Sequence, residues 1–196
     1  MCNTVYTEET QTNTYMYLYK TANINLEELE NLESGKFYKI LTCIIFSSFT
    51  IEAYMNHIGY YNFNFWTEVE KKRPLEKLKI LYSVLELNFD KSLRPIQSII
   101  EMFKYRNLLA HGKTETNTNR INHRATEVKM SQIVGFFQTR WEAMTTAENA
   151  RRYFDDMKEV ITLLNNQIES EISDPFLVFS SSAGNGSPLT NERSNQ

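Results

Sequence analysis

Arg106, Asn107 and His111, followed at once by Gly112, set a permanent cation, an amide and an imidazole within a few residues of one another. A guanidinium is a forked donor that matches phosphate or carboxylate, and a histidine is the side chain that ordinarily exchanges its proton near neutral pH. Drawn on a helix at about 100° per residue, Ile96, Ile99, Ile100 and Phe103 form one stripe that runs on through Arg106, Asn107, Ala110 and His111. The spacing predicts that a core face turns into a polar pocket in the last turn and a half. There Asn107 and His111 converge as i, i+4 neighbours, and Arg106 lies about a quarter turn away. Leu108 and Leu109 are expected on the flanks, in a second packing face or in a subunit interface. Helix-end chemistry offers another reading of the same residues. Cations in a last turn complement the helix dipole, and Gly112 suits a left-handed cap.

The run Arg106-Asn107, three residues, His111 resembles the Arg-x(4 to 6)-His signature of the HEPN superfamily, whose second position is usually Asn, Asp or His. Ser47 to Asn56 resembles the long early helix of those domains, with Glu52 as the acidic residue on its inner face. The likeness covers roughly residues 35 to 172, and only the motif is specific. It implies a small all-α bundle that dimerises, with two motif copies meeting in a cleft. It also implies a metal-independent endoribonuclease of toxin or antiviral kind, although relatives without the motif only bind. By this resemblance Arg106, His111 and Asn107 are the catalytic residues, Glu52 supports them, and no cofactor is expected.

The chemistry that follows is compact. His111 takes a proton from a ribose 2′-OH or gives one to the departing 5′ oxygen, Arg106 steadies the charge on the phosphorane-like transition state, and Asn107 orients the phosphate or the imidazole. The 2′-OH attacks in line, leaving a 2′,3′-cyclic phosphate and a 5′-OH, so DNA should resist. One histidine serves poorly as base and acid in a single step, which a homodimer with two copies of His111 would solve. A binding module for RNA, nucleotide or protein is the alternative. A third is an immunity or adaptor subunit in which Arg106 and His111 merely end a helix.

Charge supports an RNA partner locally and not globally. The chain carries a net −3, yet Lys104, Arg106, Lys113, Arg120 and Arg124 face a single acid, Glu115, between residues 104 and 124. Lys104, Lys113, Arg120 and Arg124 are therefore candidate phosphate contacts, a solvated loop being the other reading. Two cysteines, Cys2 and Cys43, give no disulfide framework, and with three scattered histidines they give no metal-ligand spacing. The apolar run from Ile40 to Ile51 is too short for a membrane span, no secretory leader pattern is visible, and a cytoplasmic protein is expected.

The elements that must position the motif are helical, and the expected fold is an up-and-down bundle of four to five helices. Residues 1–34 read as an arm with a short helix, 35–172 as the helical domain and 173–196 as a disordered tail with an apolar patch from Phe176 to Phe179. Apolar residues from Lys36 to about Ile58 cover all sides of a helix, which places it centrally. Glu52, at the edge of its main stripe and one turn before Asn56, should find a partner, with Arg106 or His111 nominated; exposure at a margin is the competing reading. Gly59 to Phe65 reads as an aromatic turn, Pro74 and Pro95 as helix starts, and Thr146 as the N-cap of a last helix through Ile168. Residues 127–137 are ambiguous between a short extended segment and helix. Ser47, Ser48 and Glu52 look superficially like pieces of a hydrolase site but lack a strand-turn-helix setting.

Overall fold

The computed structural model describes residues 12–114, 116, 139–168 and 174–177, and every regular element among them is helical. The helices are α1 (Thr14–Glu27), α2 (Lys36–Asn62), α3 (Trp66–Val69), α4 (Pro74–Val84), α5 (Ile96–Ala110), α6 (Arg140–Met144) and α7 (Ala147–Gln167). Five of them exceed ten residues, in keeping with the expected all-α bundle. No helix among the described residues is long and apolar enough to cross a membrane. The ambiguous segment 127–137 lies outside the described residues.

α2 lies against α1, α4, α5 and α7, as a helix apolar on nearly all sides must. Ile44, Ile51, Tyr54 and Met55 are buried among Ile99, Met102 and Tyr105 of α5, Met157, Ile161 and Leu164 of α7, and Leu78 and Leu81 of α4. Its polar residues are absorbed locally, since Thr42, Ser48 and Thr50 donate to carbonyls three or four residues back. Ser47 and Ser48 are sealed in the core, which closes the hydrolase reading. The helix continues to Asn62, one turn beyond the expected end, so the aromatic turn begins only at Phe63.

The N-terminal segment corrects the expectation of an arm. α1 begins at Thr14 and packs antiparallel to α2: Tyr15 touches Tyr54 and His57 late in α2, and Glu28 just after α1 pairs with Lys39 near the start of α2. Its Thr and Asn residues hide the helical period, but Thr21 and Asn25 bond to their own backbone one turn back, and Tyr15, Met16, Ala22 and Leu26 are buried. The C-terminal stretch also makes a contact within the chain, as Phe176 packs on Tyr19 with ring centroids 4.7 Å apart. Residues 178–196 lie outside the described residues.

Polar contacts fix α5 antiparallel to α7. Arg94 forks onto Asp156, Glu101 accepts from Arg152 at 2.7 Å, and the Tyr105 hydroxyl meets that of Thr145 at 2.7 Å. Thr146 caps α7 by accepting from the Asn149 N–H at 3.1 Å, as expected. Buried Tyr54 donates to Asn165 Oδ1 and ties α2 to α7. α6, missed in the sequence, starts at a capping box in which Thr139 and Glu142 satisfy each other.

Gly59 explains why a helix-weakening residue sits inside α2. A Cβ there would collide with the indole ring of Trp66, which is fully buried against the helix. Gly59→Ala should therefore destabilise by about 1–3 kcal/mol through overpacking, measured by urea unfolding. A gain of up to about 1 kcal/mol, the helix-propensity advantage of Ala, would show that Trp66 does not occupy this space.

Candidate functional site

Arg106 is the motif residue that turns inward. The buried face of α5 is made by Ile99, Met102, Phe103 and Tyr105, and Arg106 falls within the same sector one turn further on. Its Nη1 donates to Glu52 Oε2 at 3.2 Å, so of the two partners nominated for Glu52 it is Arg106, not His111, that pairs with it. The other oxygen, Glu52 Oε1, accepts from Lys77 Nζ at 3.2 Å, and Lys77 also donates to Asn56 Oδ1 at 3.1 Å. One carboxylate thus joins α2, α4 and α5 while two cations leave the cluster with an excess positive charge.

These groups are largely withdrawn from water, so each depends on its partners. The Lys77 side chain is only 3% exposed, a situation lysine tolerates only when paired. The Arg106 side chain retains 20% exposure. Its Cζ stands 5.9 Å from the ring centroids of both Phe49 and Phe103, so aromatic faces flank the guanidinium without using its hydrogen bonds. Arg106 Nε is buried with no hydrogen-bond partner, a donor that the fold leaves unmatched.

Asn107, Ala110 and His111 are exposed, and this corrects the predicted inward pocket. The phase of the stripe was misplaced: Met102 and Tyr105 belong to the buried face and Ile100 only borders it, which leaves Asn107 about 100° and His111 roughly 140° from Arg106 around the helix. Leu109, expected on a flank, packs against the core, and Leu108 is half-buried. α5 does not end in a left-handed glycine. His111 is the cap residue at φ −111°, ψ 22°, and the Gly112 N–H donates to Leu109 O at 3.2 Å.

Of the basic patch, Lys104 and Lys113 are exposed, whereas Arg120 and Arg124 lie outside the described residues. The fold therefore brings together Arg106, Glu52, Lys77 and Asn56, and sets His111, Asn107, Lys104 and Lys113 on the outer side of α5 and just beyond it. Lys77 was missed because its partners lie 25 and 21 residues away in the chain. A usable signal existed: Lys77 precedes Leu81 by one turn, on a row that faces the core, and two polar residues one turn apart on an apolar helix need a donor.

His57, one residue beyond Asn56, occupies an aromatic nest, with ring centroids 5.1 Å from those of Tyr15 and Tyr61. Burial lowers its pKa below the ordinary histidine value. Comparison with known protein families, curated proteins and solved structures gives no match, so the family likeness rests on the residues quoted above.

Three outcomes follow. Glu52→Ala strands Lys77 in the core and should cost about 2–4 kcal/mol in urea unfolding. Glu52→Gln combined with Lys77→Met should cost less than the two single changes added together, and strict additivity would mean that the pair does not interact. Because His57 resists protonation in the fold but not when unfolded, it contributes stability that is fully present above roughly pH 6.5 and lost as pH falls toward its folded value. His57→Phe should flatten the melting-temperature profile in that acidic window, and an unchanged slope would contradict the assignment.

Proposed function

We propose that this chain is an endoribonuclease of the toxin or defence kind, acting as a homodimer on single-stranded RNA by attack of the 2′-OH on the adjacent phosphorus. The observation that carries the reading is Arg106, a guanidinium anchored by Glu52 and flanked by two rings, with part of its side chain open to solvent and an imidazole exposed five residues on. A cation held in place before the reaction stabilises developing phosphorane charge without reorganisation, which is the most effective use of such a group. One His111 removes the 2′-OH proton as the oxygen–phosphorus bond forms. The His111 of the second copy protonates the 5′ oxygen as its bond to phosphorus breaks. The products are a 2′,3′-cyclic phosphate and a 5′-OH.

The wide angle between Arg106 and His111 on α5 is a second reason the reading needs two copies. A second α5 approaching near the helix end closes a cleft in which the two imidazoles, one from each copy, face the phosphate. Asn107, Lys104 and Lys113 are exposed on the outer side of α5 with His111, where they are available to the RNA backbone beyond the phosphate held at Arg106. A non-catalytic binding module, for RNA or for a partner such as an antitoxin, is favoured by one feature only: Glu52 already occupies Arg106 and gives it a structural task.

Purified protein in EDTA should cut RNA and leave DNA of the same sequence intact. His111→Ala, an exposed change that should leave the melting temperature within about 2 °C, should remove cleavage, and so should Arg106→Ala. Salt-sensitive binding without cut products would establish the binding module instead, and cleavage that survives His111→Ala would exclude the site.

A further inference from the structure

An open groove of about 410 Å³ lies between the start of α1 and the last turns of α2. Its walls carry Asn13, Tyr15, Asn56, His57, Tyr60 and Tyr61. The rest of the lining, Thr12, Thr14 and Ala53, is likewise free of permanent charge, so the groove offers nothing to an anion and much to a neutral planar ligand. Tyr60 and Tyr61, adjacent aromatic residues in the last turn of α2, are 70% and 58% exposed.

Two amides in the walls have capacity to spare. Asn13 occupies the N-cap position of α1 without making a cap bond. Asn56 accepts from Lys77 through Oδ1, which leaves the two N–H donors of its amide for another acceptor. Amides beside exposed aromatic rings match the edge and the face of an unstacked base.

We infer that this groove binds a nucleobase of single-stranded RNA, stacked on Tyr60 or Tyr61 and read along its edge by Asn56 and Asn13. The inference rests on the ribonuclease reading for its choice of polymer and gives that reading a base subsite. Asn56 is the physical link, since it lines the groove and shares Lys77 with Glu52, which holds Arg106. Four residues of α2 separate Asn56 from Glu52, about 6 Å of helix rise. That distance is close to the step between neighbouring nucleotides, so a base in the groove belongs within one or two nucleotides of a phosphate at Arg106.

The test uses the full chain carrying His111→Ala, which cannot cut by the proposed route, and a fluorescein-labelled RNA tetranucleotide with either four bases or one central abasic residue. Fluorescence anisotropy should show the abasic oligomer binding roughly ten- to a hundredfold more weakly, the range expected when a stacked base is lost. The double change Tyr60→Ala, Tyr61→Ala should abolish that difference, whereas Tyr60→Phe, Tyr61→Phe should keep it, because stacking survives without the hydroxyls. Circular dichroism checks that each variant is folded. Equal affinity for the two oligomers, discrimination that persists in the double-alanine variant, or equal displacement by N-acetyltryptophanamide would overturn the base subsite. Failure of the nuclease reading is seen separately, as intact RNA after incubation with the wild-type chain.

Discussion

A single carboxylate, Glu52, is the joint on which the candidate site depends. It accepts from Lys77 on one oxygen and Arg106 on the other, so three helices from distant parts of the chain are drawn to one point. The cost of placing charge there is offset because neither cation is left alone and Asn56 shares the load on Lys77. What the proposed function needs from the joint is the immobility of Arg106. A surface arginine wanders through many rotamers, whereas this one is gripped at its end and flanked by Phe49 and Phe103.

The same joint orders the outer surface. With Arg106 committed to the sector of α5 that faces α2, the helical period throws Asn107 and His111 outward, and the termination of α5 at His111 leaves the imidazole at a helix end in solvent. A half-buried cation and an exposed imidazole on one helix is a divided arrangement. The proposed active centre therefore requires another molecule, RNA or a second subunit, to bridge the two faces. Toward its C-terminal end α2 continues from the joint into the aromatic groove, so one helix presents in order the anchoring acid, the shared amide and two exposed tyrosines.

Much of this was legible in the residues, and the exceptions have physical causes. α2, α4, α5 and α7 announce themselves because their apolar positions repeat at the helical period and Pro74, Pro95 and Thr146 mark their starts. α1 does not, because Thr, Asn and Tyr are weak helix formers and only burial of Tyr15, Met16, Ala22 and Leu26 against the bundle repays them. The bond between Glu52 and Arg106 could be foreseen, since an acid at the margin of a core stripe requires a cation and the motif supplies one. The direction of His111 could not, because Tyr105 and Met102 shift the centre of the α5 stripe and a small error in phase moves a side chain from core to solvent. Lys77 stayed hidden for a different reason: tertiary pairing leaves no local pattern.

The central claim is that the motif performs transesterification with the RNA's own hydroxyl, and the ends of the products test it most directly. A defined RNA cut by the wild-type chain in chelator, analysed by mass spectrometry, should yield 5′ fragments ending in a 2′,3′-cyclic phosphate and 3′ fragments beginning with a 5′-OH. Fragments ending in 3′-OH beside 5′-phosphates would mean that water, not the ribose, attacks phosphorus, and would contradict the roles given to Arg106 and His111.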